Sequence, residues 1–120
     1  MSISRPHKRL DVWPASLDLV ESIYTLAKRL PASEDFGLKS QMRRAVISVL
    51  SNLAEGLSRP GPKDRIRFLS IARSSLVELD AQLEACVRLK YVSSDSAENI
   101  LLLIERVEQM IVGLMRSLKR

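Results

Sequence analysis

The chain has 120 residues, enough for one domain with a single buried core. Hydrophobic residues make up 46% and charged residues 28%, with one cysteine, which excludes disordered, collagen-like and disulfide-rich classes. The longest apolar runs are too short to span a membrane, and the basic N-terminus lacks the apolar core of a signal peptide. We expect a cytoplasmic protein, with residues 1–10 as a basic flexible tail and residues 11–120 as the folded domain.

The net charge is +5, from 19 basic and 14 acidic residues. A basic balance favours an anionic partner, usually nucleic acid, although many soluble proteins carry a similar charge without one. Aromatic residues are scarce at 4%, so the core is aliphatic, and such a core suits helices better than a β-sandwich.

The first helix is predicted from Asp11, a good capping residue, to Leu30, because Pro31 stops it. Residues that are apolar, except for Ser16, recur at helical spacing. They are Val12, Ser16, Leu19, Ile23, Leu26 and Leu30, with Val20 and Ala27 beside them. Residues 31–37 contain proline, serine, aspartate and glycine and are predicted to form a loop.

The second helix is predicted from Leu38 to Leu57, before a tight connection with Pro60 and Pro62. Its apolar arc is wider than one bundle core needs. The arc consists of Leu38, Met42, Ala45, Val46, Ile47, Val49, Leu50, Leu53, Ala54 and Leu57. A lone subunit would leave part of this arc exposed, so we interpret the excess as a subunit interface.

The third helix is predicted from Lys63 to Lys90, and the fourth begins at a capping residue, Asp95, with Glu98 completing a capping box. The third has an apolar stripe of Phe68, Ala72, Leu76, Leu79, Leu83 and Cys86. The fourth has a stripe of Ile100, Leu103, Ile104, Val107, Ile111, Leu114 and Leu118. Short loops predict antiparallel neighbours, so we expect an all-α, up-down-up-down four-helix bundle.

Several short motifs occur in order along the chain. They are Leu10-Asp11-Val12-Trp13, Ile23-Tyr24, Phe36-Gly37-Leu38, Gln41-Met42-Arg43-Arg44-Ala45, Asn52-Leu53-Ala54-Glu55-Gly56, Arg67-Phe68-Leu69-Ser70-Ile71-Ala72-Arg73-Ser74-Ser75-Leu76, Glu78-Leu79 and Gln82-Leu83. Over about residues 10–118, this set resembles the four-helix-bundle family encoded in intervening sequences of bacterial 23S ribosomal RNA. A related branch is the accessory protein of diversity-generating retroelements.

The resemblance implies an antiparallel four-helix bundle that assembles into a homopentameric ring and has no established enzymatic activity. In the retroelement branch it implies binding of a reverse transcriptase, and of nucleic acid through a basic surface. One departure is Leu53, where the family usually has isoleucine, and that exchange is conservative.

A basic cluster surrounds the second connection, with five cations against Asp64 alone, a local charge of +4. The cations are Arg59, Lys63, Arg65, Arg67 and Arg73. Such a cluster neutralises phosphates and releases counterions, or it is a solvated face with ion pairs to Glu55 or Glu78. We assign Phe68 to the apolar stripe and see no aromatic residue interleaved with the cluster. Recognition of the backbone or shape of structured RNA or duplex DNA is therefore favoured over base stacking.

Five further residues of the second helix are candidates. Arg43 and Arg44 point about 100° apart and cannot both face one core. They either extend the nucleic-acid surface or pair with a carboxylate, within the helix or across subunits. Gly56 permits close helix approach or a bend at the helix end. Asn52 and Glu55 lie on one side of the helix, forming either a polar site or a hydrogen-bond network that holds the following loop.

The sequence predicts no catalytic centre, metal or cofactor. The carboxylates of Glu78, Asp80 and Glu84 lack partner histidines, since the only histidine is His7 in the tail. Cys86 lies on the core stripe. The predicted function is a non-enzymatic, oligomeric nucleic-acid-binding or ribonucleoprotein accessory protein. The alternative is a scaffold ring that docks a protein partner, such as a reverse transcriptase, without binding nucleic acid.

Overall fold

The computed structural model describes residues 10–119, so residues 1–9, with most of the predicted tail, and Arg120 lie outside it. It contains four α-helices. They are α1 (Val12–Ala27), α2 (Leu38–Ser58), α3 (Pro62–Arg88) and α4 (Ser94–Leu118). A short 3₁₀ helix, Ala32–Glu34, lies between α1 and α2, and the described residues contain no strand.

The four helices pack in a closed circuit. Each helix contacts the next one in the chain, and α1 also contacts α4. Within residues 10–119, no Cα atoms of the diagonal pairs, α1 with α3 and α2 with α4, approach within 8 Å of each other. The molecule measures 44 × 31 × 24 Å, and α3, at ~1.5 Å per residue, spans nearly all of the long axis. The predicted all-α, antiparallel four-helix bundle is confirmed.

The core is aliphatic and follows the predicted apolar stripes. All six residues of the predicted α1 stripe are buried. One position in α3 differs, because Leu69 is fully buried whereas Phe68, its neighbour, is only half-buried. In α2, Ile47 remains 39% exposed, so part of the wide apolar arc does face solvent in the single subunit.

The two ends of α1 differ from the prediction. Asp11 occupies the position before the helix, but its side chain makes no capping hydrogen bond. The helix ends at Ala27 rather than Leu30, and the Leu30 N–H donates to the Ala27 carbonyl at 3.1 Å in a tighter turn. The ring of Pro31 disfavours helical backbone angles at Leu30, the residue directly before it, so the helix cannot continue through Leu30.

The predicted cap of α4 is also wrong. The capping residue is Ser93, whose hydroxyl accepts the N–H of Ser96 at 3.1 Å. Asp95 lies inside the first turn, where its negative charge suits the positive end of the helix dipole. Serine and aspartate are about equally good caps, so the sequence around residue 95 offered competing starting points.

A left-handed residue ends α3. Lys90 has a φ of 64°, and its N–H donates to the Val87 carbonyl at 3.0 Å. The N–H of Tyr91 donates to the Cys86 carbonyl at 2.9 Å. These two bonds define a Schellman turn, which reverses the chain within a few residues. The turn places Tyr91 against the loop between α1 and α2.

Glu34 ties the two loops at this end of the bundle together. One carboxylate oxygen, Oε1, accepts the N–H of Leu38 at 3.1 Å, which satisfies one of the free donors at the start of α2. The other oxygen, Oε2, accepts the hydroxyl of Tyr91 at 2.9 Å. The carboxylate therefore fixes α2 and the α3–α4 turn relative to each other.

This contact predicts a pH-dependent contribution to stability. The hydrogen bond to Glu34 and, secondarily, burial raise the pKa of Tyr91 above its usual 10.0. A raised pKa favours the protonated phenol in the folded state, so its stabilisation is complete below about pH 10 and is lost as pH rises through the raised value. We expect Tyr91→Phe to be less stable than the wild type at neutral pH, with the difference shrinking or reversing in alkali. Urea unfolding at about pH 8 and about pH 11 measures this, and an unchanged difference would contradict it.

Candidate nucleic-acid interface

The connection between α2 and α3 is short, and a hydrogen bond from an arginine side chain spans it. Arg59 has extended backbone angles, and Gly61 and Pro62 start the next helix, where a proline is tolerated because its missing N–H would have no partner. The Nε–H of Arg65 donates to the Arg59 carbonyl at 2.5 Å across the turn. The chain reversal therefore brings cations from the end of α2 and the first turns of α3 together.

An aromatic ring lies inside this cluster. The guanidinium of Arg59 lies 4.8 Å from the centroid of the Phe68 ring, and that of Arg67 lies 4.6 Å from it. The expectation that no aromatic residue interleaves with the cations is therefore wrong. The adjacent Arg67-Phe68 pair is a sequence signal that could have shown this. Because two guanidiniums already contact the ring, a nucleobase could stack on it only by displacing one of them.

Gly56 explains how Phe68 comes so close to α2. A Cβ atom on Gly56 would lie 3.1 Å from the Phe68 Cβ, 3.2 Å from the Arg65 carbonyl oxygen and 3.3 Å from the Leu69 Cγ. Gly56 lies inside α2 and is buried, so it serves the close approach of α2 and α3 rather than a bend at the helix end. The glycine sets the position of the basic turn.

Asn52 and Glu55 make separate local contacts. The Asn52 side-chain amide donates to the Ser48 carbonyl at 2.9 Å and to the Ser48 hydroxyl at 3.1 Å. Ser75 of α3 donates to the same hydroxyl at 2.8 Å, so a polar chain crosses the α2–α3 seam. The Glu55 carboxylate accepts from Arg59 at 3.1 Å. Only the Glu55–Arg59 contact therefore holds the helix end and the following turn, and Asn52 belongs to the polar contacts farther back along α2.

Carboxylates offset part of the cluster. Arg59 pairs with Glu55, Arg67 lies 3.8 Å from Asp64, and Arg73 reaches Glu108 of α4 at 3.2 Å. Lys63 and Arg65 have no carboxylate partner among residues 10–119. All three pairs are at least partly solvent-exposed, so they add little stability. The cluster keeps an excess of two positive charges once these partners are counted.

Arg43 and Arg44 belong to a different part of the surface. They lie roughly 22 Å along α2 from Arg59, at ~1.5 Å per residue. The guanidinium of Arg43 lies 5.3 Å from the centroid of the Tyr24 ring in α1, a partner that the sequence reasoning missed. Arg44 is exposed and borders a groove beside Glu78 of α3. Within the described chain neither arginine forms an ion pair, so the expected pairing within the helix does not occur.

Charge is unevenly distributed over the bundle. Residues 38–73, which form α2 and the first half of α3, contain eight basic and two acidic residues. Residues 10–37 and 74–119 together contain seven basic and twelve acidic residues. The surplus of six positive charges is therefore carried by α2 and the first half of α3, which pack against each other, and we call the exposed surface of these two segments the basic face. A separation of this kind produces a directed field at the surface.

Other candidate groups are structural or outside the described range. Burial, and secondarily the charge of Glu34, raises the pKa of the Cys86 thiol, which lies 3.7 Å from the Met42 sulfur in the core. A protonated, buried thiol is a poor nucleophile. Among residues 10–119, no three His, Cys, Asp or Glu side chains come together as metal ligands, and His7 lies outside that range. No helix described is long and apolar enough to cross a membrane.

The fold and the basic face define a small, antiparallel four-helix bundle with strongly separated charge. The chain belongs to the 23S rRNA-intervening sequence protein family, whose model matches residues 8–113. A crystal structure of a Bacteroides thetaiotaomicron protein, described as of unknown function and from the S23 ribosomal protein family, has a similar fold, with a TM-score of 0.81. The two chains are 24% identical over 88% of this chain and 95% of the other. No curated protein matches the chain significantly.

Proposed function

We propose that this protein binds structured nucleic acid, RNA in particular, through the basic face, in the cytoplasm and without catalysing a reaction. The observation that carries the proposal is the charge separation, with a surplus of six positive charges in residues 38–73 and a surplus of five negative charges in the rest of the described chain. A polyanion is attracted to the first region and repelled by the second, which orients it on the surface.

The family supports RNA as the nucleic acid, because its description refers to an intervening sequence of 23S rRNA. The α2–α3 turn supports contacts to the sugar–phosphate backbone. Its aromatic ring, Phe68, is engaged by two arginines, whereas Lys63 is exposed and unpaired within the described chain. Backbone contacts position a protein on a helical stem without reading its bases.

We further propose that several copies assemble, with the pentameric ring implied by the resemblance as the expected form. Ile71 and Val77 are large apolar side chains exposed on α3, and burial between copies would remove them from water. Assembly would repeat the basic face, so individually weak phosphate contacts would add up by avidity. A monomer in sedimentation velocity would contradict this part of the proposal.

The salt dependence of binding tests the RNA-binding proposal. We expect Lys63→Gln, Arg67→Gln and Arg73→Gln, combined, to weaken binding of a labelled RNA hairpin. The slope of log affinity against log salt should fall in magnitude by about 1–3, because each phosphate contact contributes about 0.9 to the slope and the carboxylates beside Arg67 and Arg73 partly offset those two cations. Fluorescence anisotropy over a salt series measures both quantities.

The matched control replaces three exposed arginines outside the basic face, Arg88, Arg106 and Arg116, with glutamine. It changes the net charge by the same amount and should leave the slope nearly unchanged. Equal losses in both triple variants would show that only total charge matters. Undiminished binding by the first variant would overturn the assignment of the basic face.

A scaffold that docks a protein partner, such as a reverse transcriptase, is the second candidate function. A groove of about 530 Å³ between α3 and α4 favours it, since Val87, Ala97 and Leu101 give it an apolar lining. Apolar grooves suit protein segments better than phosphates. An assembled protein with no affinity for RNA at physiological salt, and with a defined protein in a pull-down, would favour this function.

A further inference from the structure

A second surface at the opposite end of α2 combines exposed aromatic rings with unpaired cations. Phe36, in the α1–α2 loop, is 99% exposed, and Tyr24, in α1, is 36% exposed. Both rings border one groove, together with Arg43, Arg44 and the apolar side chain of Ile47. The apolar surface of a fully exposed phenylalanine stays in water and gains nothing from burial, so its ring is available to a ligand.

The two arginines in this groove are not neutralised. The Arg43 guanidinium stacks over Tyr24 at 5.3 Å, and its buried Nε has no hydrogen-bond partner among the described residues. Arg44 is exposed and lacks an ion pair in residues 10–119. Asp35, the one carboxylate that borders the groove, is 2.6 Å from the Lys39 ammonium and is occupied by that pair.

The dimensions and remaining lining of the groove suit a polar, planar ligand. It has a volume of about 730 Å³, in the range of sites that hold small organic groups. Ser40 and Ser51 contribute hydroxyl groups that can donate or accept hydrogen bonds, whereas the hydroxyl of Ser48 already accepts from Asn52 and Ser75. An exposed ring, two cations and two hydroxyls match the base, phosphate and sugar of one nucleotide.

We propose that this groove, which we call the Phe36 groove, binds an unpaired nucleotide of single-stranded RNA. The base stacks on Phe36, and Arg43 and Arg44 hold the adjacent phosphates. Stacking on aromatic rings combined with cationic contacts is how proteins bind single strands without reading a duplex. This inference rests on the proposed function and adds a second site of different chemistry, because the Phe68 ring at the α2–α3 turn is already covered by arginines.

The two sites lie at opposite ends of α2 and would contact different parts of an RNA. The turn at Arg59 contacts the backbone of a stem, and the Phe36 groove, roughly 22 Å away along the helix, captures unpaired bases. A hairpin with a single-stranded extension would engage both sites at once, and its affinity would exceed that of either part.

The test compares two labelled RNAs, a ten-nucleotide oligouridine and a blunt hairpin with a short, structured loop. We expect Phe36→Ala to weaken oligouridine binding by about tenfold, the loss typical of one stacked base, and to leave hairpin affinity within about twofold. Phe36→Trp keeps a ring and should retain oligouridine affinity. Arg44→Gln should weaken oligouridine binding and lower its salt slope by about 0.7. The matched control is Leu102→Ala, which removes an exposed apolar side chain on α4 and should have no effect.

Each alternative outcome is decisive. Unchanged oligouridine affinity in Phe36→Ala overturns the Phe36 groove. The proposed function would still stand if the wild type binds the hairpin and the combined Lys63, Arg67 and Arg73 variant loses that binding. If the wild type binds neither RNA, both the proposed function and the Phe36 groove are overturned. Dissociation of the assembly by Phe36→Ala in sedimentation velocity, with RNA affinity per subunit unchanged, would assign the ring to a contact between copies and overturn the inference. An equal loss in Leu102→Ala would overturn it as nonspecific.

Discussion

Replacing Leu69 with alanine lowers the free energy of unfolding by about 3 kcal/mol, within the range measured for fully buried leucines. Leu69 is 0% exposed, and its Cγ is among the atoms that a Cβ on Gly56 would meet, so the deleted side chain leaves a cavity between α2 and α3. At roughly 4 °C per kcal/mol for a domain of this size, the melting temperature falls by roughly 12 °C. Urea unfolding measures the change.

The neighbouring substitution, Phe68→Ala, provides the comparison. Phe68 is half-buried, so we expect a smaller loss of about 1–2 kcal/mol from its packing and its two cation–π contacts. It also releases Arg59 and Arg67 from the ring, which loosens the basic turn and alters RNA affinity. If Phe68→Ala destabilised the protein more than Leu69→Ala, Phe68 rather than Leu69 would be the core residue of this turn of α3.

Replacing Gly56 with valine destabilises the protein by about 2–3 kcal/mol, the usual cost of overpacking. The first added carbon would already lie 3.1–3.3 Å from atoms of Phe68, Arg65 and Leu69, and one of these is a backbone oxygen that cannot rotate away. The two further methyl groups of valine have still less room, so α2 and α3 must separate. We expect RNA affinity to fall as well, because the separation displaces the cations of the α2–α3 turn.

The same substitution at Gly113 in α4 is the control. A Cβ there meets no other atom within 4 Å, so Gly113→Val adds only the modest helix preference of valine over glycine. Its free energy of unfolding should equal that of the wild type or exceed it by about 0.4 kcal/mol. Thermal unfolding of the two variants in parallel separates the contact effect from the general effect of replacing a glycine. Equal stabilities would contradict the close-approach role of Gly56.

Most of the helical framework could be predicted from the sequence. The six residues of the predicted stripe from Val12 to Leu30 recur at helical spacing, and all six are buried, although α1 itself ends at Ala27. Helix starts were less predictable. Ser93 and Asp95 are both good capping residues and lie two positions apart. Which of the two caps α4 depends on where the preceding Schellman turn places the chain.

The candidate sites were harder to predict. Phe68 and Leu69 are apolar neighbours on α3. The buried apolar positions from Ala72 to Cys86 alternate in steps of four and three, and this alternation continues back to Leu69 rather than Phe68, so the spacing contained a signal for the core residue. Tyr24 and Arg43 are 19 positions apart, so their contact depends on the packing of α1 against α2. Sequence reasoning also grouped Arg43 and Arg44 with a cluster that lies at the other end of α2.

The sequence by itself determined the helical class, the four segments, the aliphatic core and the concentration of positive charge in residues 38–73, because periodicity, composition and local charge are properties of neighbours along the chain. Only the tertiary structure decided which cations are neutralised, as Arg73 is by Glu108, and which aromatic rings remain free, as Phe36 does. These depend on side chains that are distant in sequence and meet only when the helices pack. A linear pattern does not record such contacts, and they determine where a ligand can bind.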